Sequence, residues 1–299
     1  MKMKRILPIT AVLVLGALLL LQPETASQAV RGALTLCFRT VVPSLFPFFV
    51  VVSLLLQLGL AGFLQGLCAP LMGPLFRLRG VCALPVLTGL LGGYPSGAKT
   101  AADLYAAGEL TRQEAELLLG FCDNCGPAFL VGYVGASVLG SPQAGARLFL
   151  IHIAAALLTG LLLCRFQPDR GPALLRTNLP AKAVDFPQAL TTAASGAVTS
   201  TLNICAFVVL FRVLAALAPA GIPGPALGVL EMVTGTAALS PDRTGFILAA
   251  VITGWGGLSV HCQALSTTAA TGLSFRWHWA GKAVQAVIAG ALALVLSAL

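Results

Sequence analysis

The spacing of the charged residues constrains this chain more than any other feature of its sequence. Only 9% of the 299 residues are charged and 58% are hydrophobic, whereas roughly a quarter of the residues in an ordinary soluble domain carry a charge. Several of the gaps between charges match the roughly 20 apolar residues that a membrane-spanning helix needs. The uncharged stretches are 6–23, 40–76, 80–98, 124–146, 148–164, 186–211, 213–230, 244–275 and 283–299. The pattern predicts a polytopic all-α membrane protein with about eight transmembrane or re-entrant helical segments.

The basic residues indicate an orientation in the membrane rather than a nucleic-acid partner. The net charge is +8, but the basic residues are scattered singly or in pairs, with no stripe that could follow a phosphate backbone. They fit the positive-inside rule for membrane proteins. We therefore expect the two most basic regions to be cytoplasmic, with an even number of crossings between them. These regions contain Lys2, Lys4 and Arg5, and Arg165, Arg170, Arg176 and Lys182.

The motifs of metal sites and of common enzymes are missing from the sequence. Among the eight cysteines, Cys122 and Cys125 form a CxxC pair, but a structural zinc site usually needs a second pair or nearby histidines. The chain has no G-x-S-x-G elbow, no H-E-x-x-H motif and no Walker A loop. We expect no metal, no cofactor and no enzymatic activity.

The chain divides into four segments by composition. Residues 1–30 form an N-terminal membrane anchor helix, although a basic start followed by an apolar run also suits a cleaved signal peptide. Residues 31–164 form the first transporter half and residues 191–299 form the second. The proline-rich segment 165–190 is predicted to be a cytoplasmic loop between them.

The two halves resemble each other. Each contains a long apolar helix, a linker rich in glycine and proline, and a short apolar segment that ends in two glycines, Gly92–Gly93 and Gly256–Gly257. Interrupted hydrophobic segments at corresponding places are typical of transporters that are built from internal repeats.

The first break offers groups that could receive an anion. Residues 92–99 interrupt a helix, and the next helix would present free backbone N–H groups there. Ser96 and Lys99 lie beside them, and a lysine ammonium suits a carboxylate or a phosphate. The alternative is a simple turn between helices, with Lys99 extending to the membrane interface.

A second break lies at residues 122–127, after a helix that Thr111 and Glu114 are predicted to start with a capping box. Asn124 could hold a polar edge of a substrate, and Asp123 could bind a coupling cation. Both residue types are also common helix caps, so a structural role stays open.

Four polar residues interrupt the apolar second half. Glu231 is an ionisable group in an otherwise uncharged run, which is costly in a membrane; it could carry a proton, bind a cation or pair with Arg212 or Lys99. Ser259 and His261 follow the second pair of glycines, together with Gln263; His261 could titrate near neutral pH or serve as a structural residue. His152 and His278 are expected to be packing or interfacial residues.

These segments are similar to a known family. They resemble the sporulation integral membrane proteins of the YlbJ type, which carry a nucleoside-recognition, or Gate, domain. The likeness covers roughly residues 30–290, although Asp123–Asn124–Cys125 stands where the family usually has Asn-Asn-Ser. The matching segments are Gly93–Lys99, Asp103–Tyr105, Phe121–Pro127, Leu230–Gly235, Gly256–His261 and Leu273–Phe275.

The resemblance implies a permease related to concentrative nucleoside transporters. The family is associated with moving dipicolinic acid during endospore formation, so a small organic anion is the expected solute, with alternating access as the mechanism and the mother-cell or outer forespore membrane as the location. A nucleoside or another organic anion is the alternative, as is a scaffold for spore-envelope assembly; a homo-oligomer is also open. Expected substrate contacts are Ser96, Lys99, Asn124 and Ser259, and expected ion or proton sites are Glu231, Asp123 and His261.

Overall fold

The computed structural model describes residues 3–55, 57–58, 61–166, 185–217 and 221–297, and no strand occurs in these ranges. The prediction of an all-α protein is confirmed. Three segments are π-helical, Cys37–Val41, Met72–Phe76 and Ala128–Val138. The α-helices are α1 (Met3–Leu21), α2 (Pro23–Leu36), α3 (Val42–Leu55), α4 (Ala61–Leu71), α5 (Ala83–Gly92), α6 (Ser96–Ala106), α7 (Arg112–Leu118), α8 (Pro142–Arg165), α9 (Phe186–Ala216), α10 (Met232–Ala237), α11 (Arg243–Trp255), α12 (Gly257–Thr268) and α13 (Arg276–Leu296).

The described helices are consistent with several passes through a membrane. Four helical runs are long and apolar enough to span it: α8, α9, α13, and α11 together with α12 and the 3₁₀ turn that follows (Arg243–Thr271). Up to six spans result if each of two bent pairs counts as one. The bent pairs turn by 99° after α1 and by 91° before α5. Large apolar side chains face outward on these helices, for example Leu150 on α8 and Val287 on α13. The chain is therefore a multi-pass membrane protein.

The two helix ends that the sequence predicts at Gly92–Gly93 and Gly256–Gly257 are present. Helix α5 ends at Gly92, Gly93 adopts a φ of 73°, and α6 begins at Ser96. Helix α11 ends at Trp255, Gly256 adopts a φ of 91°, and α12 follows. Glycine occupies this left-handed region without the clash that a Cβ would cause, so the paired glycines end each helix. Helices α6 and α12, which follow the breaks, pack against each other.

Two segments have features that the sequence did not reveal. The uncharged run around Glu231 is divided: Gly224–Val229 forms a 3₁₀-helix and α10 is a separate short helix, because the carboxylate of Glu231 caps α10. Helix α9 already begins at Phe186, inside the predicted loop 165–190. Most of that loop lies outside the described residues, including Arg170, Arg176 and Lys182; Lys2 also lies outside them.

The second break packs closely on α5 and α6. A Cβ added at Gly89 or Gly97 would collide with the backbone carbonyl of Cys122, so only glycine allows the three segments to approach this closely. On the other side, a Cβ at Gly281 of α13 would collide with the backbone of Gly120. The irregular segment 119–127 is therefore held between α5, α6 and α13.

A buried ion pair fixes α7 against the turn before α5. Nε of Arg79 donates to Oε1 of Glu114 at 2.8 Å, and a second guanidinium nitrogen donates to Oε2 at 2.5 Å. Glu114 also accepts from the backbone of Thr111, which completes the predicted capping box. Burial acts to raise the pKa of Glu114, but the hydrogen bonds from Arg79 and Thr111 outweigh it and hold that pKa below its ordinary value of 4.5.

This shift predicts a loss of stability in acid. Because the folded-state pKa is lowered, the carboxylate of Glu114 stabilises the fold above about pH 4.5, and the contribution is lost as the pH falls through the folded-state pKa. We expect Glu114→Gln to lower the free energy of unfolding by roughly 2–3 kcal/mol at neutral pH. The difference from wild type should shrink below pH 4.5, as measured by denaturant titration in detergent micelles. Glu24→Gln, at an exposed position of α2, is the control, and a constant difference across this pH range would contradict the prediction.

Candidate functional site

A cavity lies between the break after α5, the break at 119–127 and the second half of the chain. Its cavity volume is about 50 Å³, so the cavity is narrow in this structure. The first break contributes Gly93 and Tyr94, the second break Cys125 and Gly126, and the second half Glu231, Ser259 and Gln263. The rest of the wall is mainly apolar: Val41, Phe49, Phe129, Ile204, Val208, Met232, Val233 and Val260.

Two polar side chains in this wall lack partners. Ser259 and Gln263 are one turn apart on α12 and both are buried. Among the described residues, neither Oγ of Ser259 nor Oε1 of Gln263 has a hydrogen-bond partner. Buried polar atoms are nearly always satisfied, because leaving one unpaired costs about 1–3 kcal/mol. These two atoms are suited to bind a polar solute in the cavity.

Glu231 also lines the wall. Its carboxylate accepts from the backbone N–H groups of Val233 at 2.9 Å and Thr234 at 2.5 Å. It is 1% exposed and caps α10 as a carboxylate acceptor. The cavity therefore contains a buried acid whose oxygens are oriented by its own helix.

A second polar group lies next to the cavity and is termed the Lys282 cluster: Lys282, Gln285, Asn124 and His152. All four side chains are buried. Lys282 donates to the backbone carbonyl of Asp123 and, at 2.9 Å, to Oε1 of Gln285. Gln285 in turn donates to Oδ1 of Asn124 at 2.9 Å.

His152 completes the Lys282 cluster from α8. Its Nε2 lies 3.1 Å from the backbone N–H of Cys125 and 3.3 Å from Nε2 of Gln285. Both partners are donors, so Nε2 of His152 is the unprotonated ring nitrogen. The cluster thus ties α8 and α13 to the irregular segment 119–127.

Two further histidines, His278 and His261, form hydrogen bonds between the Lys282 cluster and the end of α7. Nδ1 of His278 lies 3.0 Å from the carbonyl of Leu119 and must donate to it, which leaves Nε2 of His278 to accept from Nδ1 of His261 at 2.8 Å. His152 and His278, expected to be packing or interfacial residues, are packed in the interior. Both are buried and hydrogen-bonded, because the break at 119–127 exposes backbone groups that need partners.

Asp123 occupies the place where an anion was expected. Its Oδ1 accepts from the backbone N–H of Ala98 in the first turn of α6, at 3.3 Å. The start of α6 is therefore already bound by the protein's own carboxylate, as the helix dipole favours. Oδ2 of Asp123 is buried without a partner among the described residues.

The remaining predicted residues lie outside the cavity. The side chain of Lys99 is 59% exposed and forms an ion pair with Asp103 one turn along α6, at 2.5 Å. Lys99 therefore pairs with neither Glu231 nor a group of the cavity. Ser96 is half-buried at the start of α6. Asn124 is in the Lys282 cluster, so of the four predicted substrate contacts the structure brings only Ser259 into the cavity wall, where it joins Glu231.

The described residues contain no group of three or more His, Cys, Asp or Glu side chains that could hold a metal ion.

Comparison with known proteins shows what this chain is similar to. Residues 38–167 match the Gate family, described as nucleoside recognition. The chain is also 27% identical over 328 residues to the sporulation integral membrane protein YlbJ of Bacillus subtilis, covering 95% of this chain and 80% of that protein. No solved structure shows a significant match. The resemblance inferred from the sequence is confirmed, and it indicates a transporter-like role in the membrane.

The Gate match covers both breaks of the first half but not the helix that completes the Lys282 cluster. His278, Lys282 and Gln285 lie at i, i+4 and i+7 on α13, so they face the same neighbour. Lys282 directly precedes the uncharged run 283–299, so the sequence alone suggests a charge at the end of a helix. Helix α13 begins six residues earlier, at Arg276. The spacing of the three polar residues was the signal that could have revealed the cluster.

We expect the Lys282 cluster to dominate the stability of the second break. Gln285→Leu removes the partners of Asn124 and Lys282 and leaves buried polar atoms unpaired. The free energy of unfolding in detergent should fall by about 2–4 kcal/mol. Gln188→Leu, at an exposed position of α9, should change it by less than about 0.5 kcal/mol. Equal effects of the two substitutions would show that the cluster contributes nothing specific.

Proposed function

We propose that the chain is a permease, and not an enzyme, that moves a small organic solute across the membrane by alternating access. One observation carries the proposal: the cavity beside the broken helices contains buried, unpartnered polar atoms of Ser259 and Gln263 in a mainly apolar wall. Broken helices that meet around a central site are also the usual architecture of secondary transporters.

Dipicolinic acid is the first candidate solute, on the strength of the resemblance to sporulation membrane proteins. It is flat and aromatic, which suits a cavity with apolar walls and few polar groups. Two carboxyl groups would give it contacts at opposite ends.

A nucleoside is the second candidate, and the polar wall favours it. The lining offers the acceptors Glu231 and Gln263 together with the hydroxyl of Ser259, which match the hydroxyl donors of a ribose. The described lining residues include no lysine or arginine. The description of the Gate family as nucleoside recognition points the same way.

Glu231 is assigned to ion or proton coupling, with Asp123 and His261 as second candidates. Glu231 is the acid that lines the cavity itself, so a proton or cation bound there is in direct reach of the solute. Asp123 and His261 each have one buried unpartnered atom outside the cavity wall.

Uptake into liposomes tests the solute site. We expect saturable uptake of labelled dipicolinate, or of labelled uridine, that falls roughly tenfold or more in the double variant Ser259→Ala/Gln263→Leu, because each lost buried hydrogen bond costs about 1 kcal/mol. Ser195→Ala, at an exposed position of α9, should transport like wild type. Uptake of uridine alone would select the nucleoside; uptake of neither solute by folded protein would favour the scaffold.

The coupling role of Glu231 has its own test. Glutamine keeps the size of the side chain but cannot release a proton, so Glu231→Gln should abolish any acceleration of uptake by an imposed proton or sodium gradient. The rate of solute exchange without a gradient should fall less. Glu24→Gln should keep the full response to the gradient. A gradient response that survives in Glu231→Gln would assign coupling to another group.

A further inference from the structure

We propose that Lys282 is the cationic half of the solute site, and that it receives an ionised carboxylate of the solute when the side chain of Tyr94 moves aside. The inference rests on the proposed function and deepens it by naming a solute class. That class is a small planar acid with one ionised carboxylate at one end and a hydrogen-bond donor at the other.

The environment of Lys282 is unusual for a buried charge. The side chain is 0% exposed in the middle of α13. Its three partners are neutral acceptors: the carbonyl of Asp123, Oε1 of Gln285 and the hydroxyl of Tyr94. Three acceptors around Nζ match the three N–H donors of an ammonium group. The ion pairs of the described residues do not include Lys282.

A buried ammonium without a contacting anion is costly inside a membrane and marks a functional group by default. The carboxylate of Asp123 interacts electrostatically with Lys282, but the hydrogen-bond partners of Nζ carry no negative charge. A bound carboxylate would supply that charge.

Tyr94 separates Lys282 from the cavity. Its ring lines the cavity, and Nζ of Lys282 lies 5.2 Å from the ring centroid on the other side. The phenol oxygen is 3.5 Å from Nζ, longer than the bond to Gln285, and it donates at 3.4 Å to the carbonyl of Thr253. Tyr94 therefore holds the weaker of these two bonds to Lys282, and its displacement frees one N–H toward the cavity.

Replacing the phenol of Tyr94 by a solute carboxylate as the partner of Lys282 is favourable. A carboxylate oxygen in place of the phenol forms a charge-assisted hydrogen bond, which is roughly twice as strong as a neutral one. It also compensates the charge of Lys282, while Gln285 and the carbonyl of Asp123 keep their bonds.

The acceptors of the cavity wall decide the other end of the solute. Glu231 and Gln263 present acceptor oxygens, so they bind a donor such as an N–H, a hydroxyl or a protonated acid, and they repel a second ionised carboxylate. The site is therefore polar from end to end, with the negative group of the solute toward α13 and its donor toward α10 and α12.

The test compares an acid with its neutral isostere. Binding of 6-carbamoylpyridine-2-carboxylate, which has one ionised carboxylate and one amide donor, and of pyridine-2,6-dicarboxamide to the purified full chain would be measured by calorimetry in nanodiscs. We expect wild type and Arg276→Gln, an exposed charge on the same helix, to prefer the acid at least tenfold. Lys282→Gln should abolish that preference, and Lys282→Arg should retain part of it. A folded Lys282→Gln variant that still prefers the acid overturns the proposal, as does wild type that shows no preference.

Tyr94→Phe provides a second route if Lys282→Gln does not fold. Losing the phenol frees one donor of Lys282, so the affinity for the acid should rise several-fold while that for the diamide stays constant. An unchanged ratio overturns the proposal. Liposome uptake distinguishes failure of this proposal from failure of the proposed function. A preference for the acid that depends on Lys282, without any transport of the solute, contradicts the permease but supports the anion site.

Discussion

Within a membrane, every backbone N–H and C=O group must find its partner inside the protein. The irregular segment 119–127 breaks a helix and leaves several such groups free. Three side chains from other helices bind them: Lys282 takes the carbonyl of Asp123, His278 the carbonyl of Leu119, and His152 the N–H of Cys125. The position of α8 and α13 around the break, and hence the cavity beside it, depends on these bonds.

The second half satisfies its own break differently. Glu231 caps α10 with its carboxylate, and the N–H of Ser259 donates to the carbonyl of Leu230 at 3.0 Å. The backbone of α12 is thereby joined to the segment before α10, which leaves the hydroxyl of Ser259 without a structural task. Because the backbone groups at this break have other hydrogen-bond partners, the unpartnered side-chain atoms of Ser259 and Gln263 are available to a solute.

Local signals in the sequence predicted the breaks, and distant partners decided the chemistry around them. The paired glycines and the capping box of Thr111 and Glu114 act within a few residues, so both were predictable. The sequence also placed Lys99 beside the start of α6 and so suggested an anion site there. Asp123, 25 residues away, fills that position instead, and Lys282 becomes the buried cation. Contacts across more than 100 residues leave no trace in periodicity, apart from the shared face of His278, Lys282 and Gln285.

Tyr94 connects the two halves at the point where they must move. It belongs to the first break, yet its hydroxyl bonds to the carbonyl of Thr253 in α11 and accepts from Lys282 in α13. Any shift of the first break relative to α11 changes both bonds at once. Opening the cavity and freeing an N–H of Lys282 are then the same event, so the cation meets the cavity only while the path to it is open. A solute carboxylate that binds Lys282 stabilises that open arrangement, and its departure lets Tyr94 return.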